Sequence, residues 1–279
     1  MSRDMGRSGT WDPEQYGRFG DERSRPFFEL LDRVRAADPV YVVDLGCGSG
    51  ELTATLADRW PAARIEGIDS SPEMIAMAER RAVPGLQFTM GDIATWTPAQ
   101  QVDVIVSNAA LQWVPAHREL LPKWINALSP GGWLAFQVPG NFDGPSHTAV
   151  RELCGSPRWR DLLGDLPLGA GGGADGKPVD MPEAYLELLA THGCRPVDAW
   201  ETTYSQVLQG TDPVLEWIKG TALRPVLSAF DAEPADPAGK ADFLTELAAR
   251  LRAAYPARPY GTVFPFRRVF VVARRDPAA

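Results

Sequence analysis

Short apolar runs alternate along this chain with stretches in which apolar residues recur at three- and four-residue intervals. Runs of four to eight apolar residues bounded by turn formers read as strands. They predict strands over Pro39–Leu45, Arg64–Asp69, Leu86–Met90, Val102–Ser107 and Trp133–Val138. Val102–Ser107 is apolar apart from Asp103, as expected of a parallel strand buried on both faces. Phe27, Leu30, Leu31 and Val34 have helical spacing and predict a helix over Pro26–Ala36. Leu52, Leu56 and Ala57 form the inner face of a second helix that begins near Gly50. Ser70-Ser71-Pro72-Glu73 reads as a cap with Pro at an early helical position, opening a helix to about Ala82. A further helix over Pro115–Leu128 ends at the Pro130-Gly131-Gly132 turn.

The alternation predicts βαβ units around a parallel sheet. The pattern resumes with a helix over Pro182–Thr191, a strand around Val197–Gln206 and a last strand over Arg267–Ala273. Gly140–Asp180 and Gly210–Phe266 are irregular or helical inserts, and Leu168–Lys177 is a Gly-rich loop. We expect one domain over 1–279, with a cofactor-binding core at 26–140 and lid elements at 10–25, 141–181 and 207–264.

The length, 279 residues, suits one α/β domain with an elaboration. A net charge of −8, from 28 basic and 36 acidic residues, argues against a nucleic-acid or membrane-surface partner. No apolar stretch approaches the roughly 20 residues that span a bilayer, and no signal-peptide core opens the chain, so a cytoplasmic protein is expected. Cys47, Cys154 and Cys194 form no C-x-x-C pair, and His117, His147 and His192 are mutually distant, so neither a disulfide framework nor a metal is expected.

The chemistry concentrates at Val42-Val43-Asp44-Leu45-Gly46-Cys47-Gly48-Ser49-Gly50, where an apolar run stops on three alternating glycines. Such a strand–turn–helix junction offers bare backbone N–H groups to a ligand at the sheet's C-terminal edge. Asp69 follows Gly48 by 21 positions, at the end of the next strand, a spacing that suits a carboxylate on two ribose hydroxyls. The pattern departs from G-x-G-x-x-G. Asp44 would repel a pyrophosphate and attract an ammonium, so a cofactor with a ribose, an amino acid end and a positive charge fits better: S-adenosylmethionine. Asp92, at the end of the third strand, is placed to accept from an exocyclic amine, with Ile93 packing on the ring. Asn108, at the end of the fourth, falls near the cofactor's methionine end or the transferring methyl. Ser70, Met74, Ala109 and Cys47 complete the cofactor set, Cys47 as a small side chain between glycines rather than a nucleophile.

Over about residues 38–140 this order resembles the class I S-adenosylmethionine-dependent methyltransferases. Further segments are similar to the trans-aconitate 2-methyltransferases: Trp11-Asp12-Pro13 with Tyr16, Phe19 and Arg23-Ser24-Arg25-Pro26; Ile68-Asp69-Ser70-Ser71-Pro72-Glu73-Met74; and Ser107-Asn108-Ala109-Ala110-Leu111-Gln112-Trp113-Val114-Pro115. So are Val138-Pro139-Gly140-Asn141-Phe142, Trp200-Glu201-Thr202-Thr203-Tyr204 and Phe264-Pro265-Phe266-Arg267-Arg268, so the likeness covers nearly the whole chain. Leu168–Lys177 is longer and more Gly-rich than the family pattern. The resemblance implies a Rossmann-like fold, a seven-stranded mostly parallel sheet with helices on both faces and a helical lid. It also implies methyl transfer from S-adenosylmethionine to one carboxylate of trans-aconitate, giving a monomethyl ester and S-adenosylhomocysteine.

A carboxylate, with a reference pKa near 4, is already ionised, so no catalytic acid–base residue and no metal are required. Alignment and exclusion of water carry the step. A polyanion entering an acidic protein needs a local basic cluster, for which Arg23, Arg224 and Arg267 are candidates, with Arg25 and Arg268 beside them. Arg267 and Arg268 point to opposite faces if extended, and Arg267 is the preferred one. Trp11, Tyr16, Gln112, Trp113, Asn141 and Phe142 complete the substrate set, and Trp217 is a further aromatic candidate for the pocket wall. The expected partner is a small anionic acid, met by a monomer, with a homodimer as the alternative. Rival readings are a methyltransferase for another small acid or a natural-product hydroxyl, an NAD(P)-dependent oxidoreductase, and a non-catalytic cofactor binder.

Overall fold

The computed structural model describes residues 20–277 except Pro115, Asp165, Pro167, 169–177, Glu233 and Pro234, with side chains described from Ser24 onward. The expected roles of Trp11, Tyr16 and the Arg23 side chain lie outside the described residues, as does most of the Gly-rich loop. The described residues form two compact units: 21–140 with 178–204 and 267–277, and Gly20 with 141–168 and 205–266.

In the first unit the parallel sheet predicted by the apolar runs is built from β1 (Tyr41–Leu45), β2 (Arg64–Asp69), β3 (Leu86–Met90), β4 (Val102–Asn108) and β5 (Leu128–Pro139). With β6 (Cys194–Leu208) and β7 (Thr262–Arg275) the order is β3-β2-β1-β4-β5-β7-β6. The β1–β2, β2–β3, β1–β4 and β4–β5 pairs are parallel and β5–β7 is antiparallel. Strand order reverses at β1, between β2 and β4, and ligands in open α/β sheets bind beyond the strand ends at such a point.

Several boundaries differ from the periodicity reading, for identifiable reasons. Helix α1 covers Gly20–Leu31 rather than Pro26–Ala36. Its first turn is polar and carries no apolar period, while Val34 reaches the core through a turn that closes on the Leu31 carbonyl. Helix α2 is Glu51–Arg59. Helix α3 (Pro72–Ala78) stops before Ala82 and continues as one 3-10 turn, Glu79–Arg81. Helix α4 is His117–Ala127. The Pro130-Gly131-Gly132 turn sits inside β5 as a bulge: Val102 pairs with Leu128 and Val104 with Trp133.

Helix α1 is fastened to β6 by Glu29. Its Oε1 accepts from Trp200 Nε1 and Thr202 Oγ1, and its Oε2 accepts from the Tyr204 hydroxyl. Residues 200, 202 and 204 share one strand face by the two-residue period, which gives the Trp-Glu-Thr-Thr-Tyr segment a structural role. Burial alone would raise the Glu29 pKa, but these three bonds and the Arg25 charge hold it below the usual value.

In the second unit the inserts contain helices α5 (Pro145–Cys154), α6 (Arg160–Leu163), α8 (Pro213–Lys219), α9 (Arg224–Asp231) and α10 (Pro237–Ala254); α7 (Pro182–Thr191) belongs to the first unit. Their apolar faces form a separate core around Trp159, Trp217, Phe230, Phe243 and Phe264. Trp217, only 1% exposed and packed against Phe264 and Phe266, is a core residue rather than a pocket wall. No helix among the described residues is long and apolar enough to cross a membrane.

Candidate functional site

Four parallel strands of the first unit end on polar residues along one sheet edge: β1 on the glycine turn, β2 on Asp69, β3 just before Asp92 and β4 on Asn108. The three glycines are required for different reasons. All have positive φ: 85° at Gly46, 55° at Gly48 and 74° at Gly50. A Cβ on Gly46 would lie 2.3 Å from Ala110 Cβ, and one on Gly50 would run into the Phe88 ring and Ala78. One on Gly48 would meet nothing within 4 Å, so the turn presents its backbone to open space there.

The turn's N–H groups divide: four are taken up inside the protein, while those of Ser49 and of Glu51 and Leu52 in the first turn of α2 meet no acceptor among the described residues. Gly46 and Cys47 both donate to the Ile68 carbonyl (2.8 and 3.0 Å), and Gly50 donates to the Cys47 carbonyl. The Gly48 N–H goes to Asp69 Oδ2 at 2.9 Å. The parallel β1–β2 register carries Ile68 up to the turn, where its carbonyl takes two of these donors.

Beside the turn stand two carboxylate acceptors, Asp69 and Asp44. Asp69 is held from both sides, Oδ2 by Gly48 N–H and Oδ1 by Ser71 N–H, each at 2.9 Å, and each carboxylate oxygen keeps a lone pair for a further donor. Ser71 also caps α3 by accepting from Met74 N–H, with Met74 buried beneath, while Ser70 is exposed. Asp44 is 2% exposed; its Oδ2 accepts from the Thr53 hydroxyl at 2.6 Å and its Oδ1 is buried without a partner. Burial pushes its pKa up to about 7, opposed by the Thr53 bond and reinforced by the Asp69 charge. An orphaned buried carboxylate oxygen is costly unless a donor arrives.

Cys47 stays a thiol: burial first, then the charges of Asp44 and Asp69, drive its pKa far above the usual range. Asp92 is exposed and turned by accepting from Ala94 N–H, while Ile93 beside it is buried. Asn108 accepts from Gln137 Nε2. Ala109 follows with a φ of 55°, unusual for a residue with a Cβ, and its carbonyl takes the Gln112 amide. Gln112 Oε1 is buried without a partner and Trp113 is 54% exposed.

These residues fit a ligand that brings a diol to Asp69 and a cationic donor to Asp44, and two carboxylates beside the turn disfavour a pyrophosphate. Among the described residues no group of His, Cys, Asp and Glu could hold a metal ion. A cleft of about 390 Å³ lies at the opposite sheet edge, lined by Asp38, Asp103, Trp133 and Arg274 among others. It gathers none of the site residues, and Asp103 there accepts from Val40 and Tyr41 N–H to start β1.

The substrate candidates divide between the units. In the first, Arg267 is engaged with Glu201 (2.7 Å), the Gly140 carbonyl and Met181 Sδ. In the second, Asn141 is buried with Nδ2 3.4 Å from His147 Nδ1, and Phe142 meets the His147 ring edge-on. Arg224 opens α9 with its pKa lowered by burial. Sequence reasoning passed over Thr53 and Gln137. Their signals were slight: a hydroxyl on the buried face of α2, and one polar residue inside the apolar run Trp133–Val138. It also passed over a buried brace in which Tyr185 OH lies 2.9 Å from His117 Nε2 and accepts from Asp180 N–H.

The family described as "Methyltransferase domain" matches residues 42–132. A protein of Streptomyces avermitilis named trans-aconitate 2-methyltransferase is 53% identical over 274 residues, covering 96% of this chain and 97% of that protein. One of the same name from Rhodococcus jostii is 56% identical over 95% of this chain and 99% of its own length. Among solved structures, the YcgJ protein from Bacillus subtilis superposes with a TM-score of 0.54 at 12% identity, covering 90% of this chain and 98% of that one. That likeness concerns the fold alone.

Proposed function

We propose, for a chain that belongs to the trans-aconitate 2-methyltransferase family, that it moves the methyl group of S-adenosylmethionine onto one carboxylate of trans-aconitate, releasing the monomethyl ester and S-adenosylhomocysteine. The observation that carries this reading is an overall identity of 53–56% to proteins of that name over 95–96% of the chain.

The cofactor, when bound, supplies an electrophilic methyl on a sulfonium. Asp69, pinned by two N–H groups, would hold the ribose hydroxyls, and the orphaned Asp44 oxygen would meet the ammonium. Asp92 and Ile93 would hold the adenine, and Asn108 and Ala109 would lie toward the methionine end. No residue has to take a proton, since the attacking carboxylate is ionised well below neutral pH. The Cys47 thiol stays protonated, and His117 is buried and bonded to Tyr185 and the Val114 carbonyl. The protein's work is alignment and exclusion of water.

The candidates for substrate contact are Arg23, Arg224 and Arg267 for the carboxylates, and Trp11, Tyr16, Gln112, Trp113, Asn141 and Phe142. Within the same reading the enzyme is cytoplasmic and monomeric. The test is turnover with S-adenosylmethionine of trans-aconitate against cis-aconitate, isocitrate and citrate, with the ester identified by mass. A clear preference for trans-aconitate is expected; comparable rates on a neutral hydroxyl compound would sink the assignment.

A further inference from the structure

Three polar side chains cross the sheet from β7 to the end of β4. Gln137 is 1% exposed and Arg268 is 6% exposed. Register places them on one face: Asn108 lies opposite Gln137 across β4–β5, and Gln137 opposite Phe270 across β5–β7, two residues from Arg268. By the two-residue period, Asn108, Gln137 and Arg268 then share a face while Arg267 turns to the other. Arg268 Nη1 donates to Gln137 Oε1 at 3.2 Å, and Gln137 Nε2 donates to Asn108 Oδ1.

The direction of this chain of bonds is set by its buried end. A guanidinium can only donate. Gln137 must therefore turn its oxygen to Arg268 and its NH₂ to Asn108. Asn108 must answer with its oxygen, since the flipped amide would set NH₂ against NH₂. The Asn108 NH₂ is then left at the strand edge, and among the described residues it has no hydrogen-bond acceptor.

We infer that Arg268 and Gln137 are positioning residues whose bond polarity turns the Asn108 amide N–H outward as a donor to a carboxylate at the strand edge. Resting on the methyl-transfer reading, this carboxylate has two sources, the amino acid end of the cofactor or the acid substrate. The chemistry is the same, and two measurements separate them.

Gln137→Glu keeps the shape and tests the polarity. A carboxylate at 137 accepts from Arg268 and also from Asn108 Nδ2, so the Asn108 amide flips and its oxygen faces the ligand. The expected result is a folded protein with about a tenfold loss, the worth of one hydrogen bond to a charged group. The loss appears in S-adenosylhomocysteine affinity by calorimetry if the cofactor carboxylate is the ligand. It appears in KM for trans-aconitate, with cofactor affinity and kcat little changed, if the substrate carboxylate is. In an Asn108→Ala background Gln137→Glu should add nothing. Asn108→Asp, which leaves the buried Arg268–Gln137 bond in place, should reproduce the loss and serves if Gln137→Glu does not fold. Wild-type affinity and KM in Asn108→Asp, or losses from Asn108→Ala and Gln137→Glu that add in full, would overturn the inference. Failure of the wild type to methylate trans-aconitate would instead refute the substrate reading, and calorimetry would still decide the role of Gln137.

Discussion

Replacing Asp44 by Asn is expected to stabilise the ligand-free protein while weakening its hold on the cofactor. Asp44 has one oxygen bonded to Thr53 and the other buried without a partner. Burial raises its pKa from 3.8 to about 7. A carboxyl whose folded pKa lies above its unfolded value binds more protons in the native state across that window. Its contribution therefore falls as pH rises from about 4 to 7. At about 1.4 kcal/mol per unit, the ionised group costs the empty fold roughly 4 kcal/mol at pH 8 and roughly 2 kcal/mol at pH 5. Asn cannot ionise, and its oxygen still accepts from Thr53. The stability difference between Asp44→Asn and wild type should thus shift toward the variant by about 2 to 3 kcal/mol between pH 5 and pH 8, whatever the amide's own packing costs. Urea unfolding of both ligand-free proteins at the two pH values measures this. Calorimetry at pH 8 should show S-adenosylhomocysteine bound about 10- to 100-fold more weakly, since its ammonium loses a charged partner in a dry site. A pH-independent stability difference, or unchanged affinity, would refute the reasoning.

Two further outcomes follow from the same geometry. Asp69→Ala removes both diol acceptors and leaves the Gly48 and Ser71 N–H groups without their partner. S-adenosylhomocysteine affinity should fall by at least about tenfold with the circular dichroism spectrum retained, and an unchanged Kd would remove Asp69 from the site. His147 has its pKa lowered to about 4, by burial first and the Arg151 charge second, against the pull of Asp143. Its neutral form contributes fully above pH 6.5, and about 3 kcal/mol should be lost as pH falls from 6.5 to 4. Wild type and His147→Gln should therefore diverge in urea unfolding over that range, and parallel curves would exclude the effect.

Where reading the sequence worked and where it stopped has a physical pattern. Strands β1, β4 and the second half of β5 were legible because parallel strands buried on both faces are nearly continuous apolar runs, and β3 because its buried and exposed positions alternate, both properties of consecutive residues. Helix ends were less legible. The polar first turn of α1 and the 3-10 turn after Ala78 carry no apolar period. The bulge inside β5 depends on what Val102 and Val104 pair with, which no local pattern encodes.

The same division runs through the site. Asp44, Asp69, Asp92 and Asn108 could be named from sequence because each ends or directly follows an apolar run, and an α/β sheet binds ligands at that edge. Sequence by itself determined the elements, the acidic character of the crevice and the resemblance that names the substrate. Only the tertiary structure decided that three of the turn's N–H groups go to Ile68 and Asp69, that Asp44 is an orphaned acceptor, and that Arg268 sets the direction of Gln137 and Asn108. Hydrophobic periodicity is local along the chain. The partner of a hydrogen-bonding group is set by strand register across tens of residues, and the cost of a charge by what surrounds it.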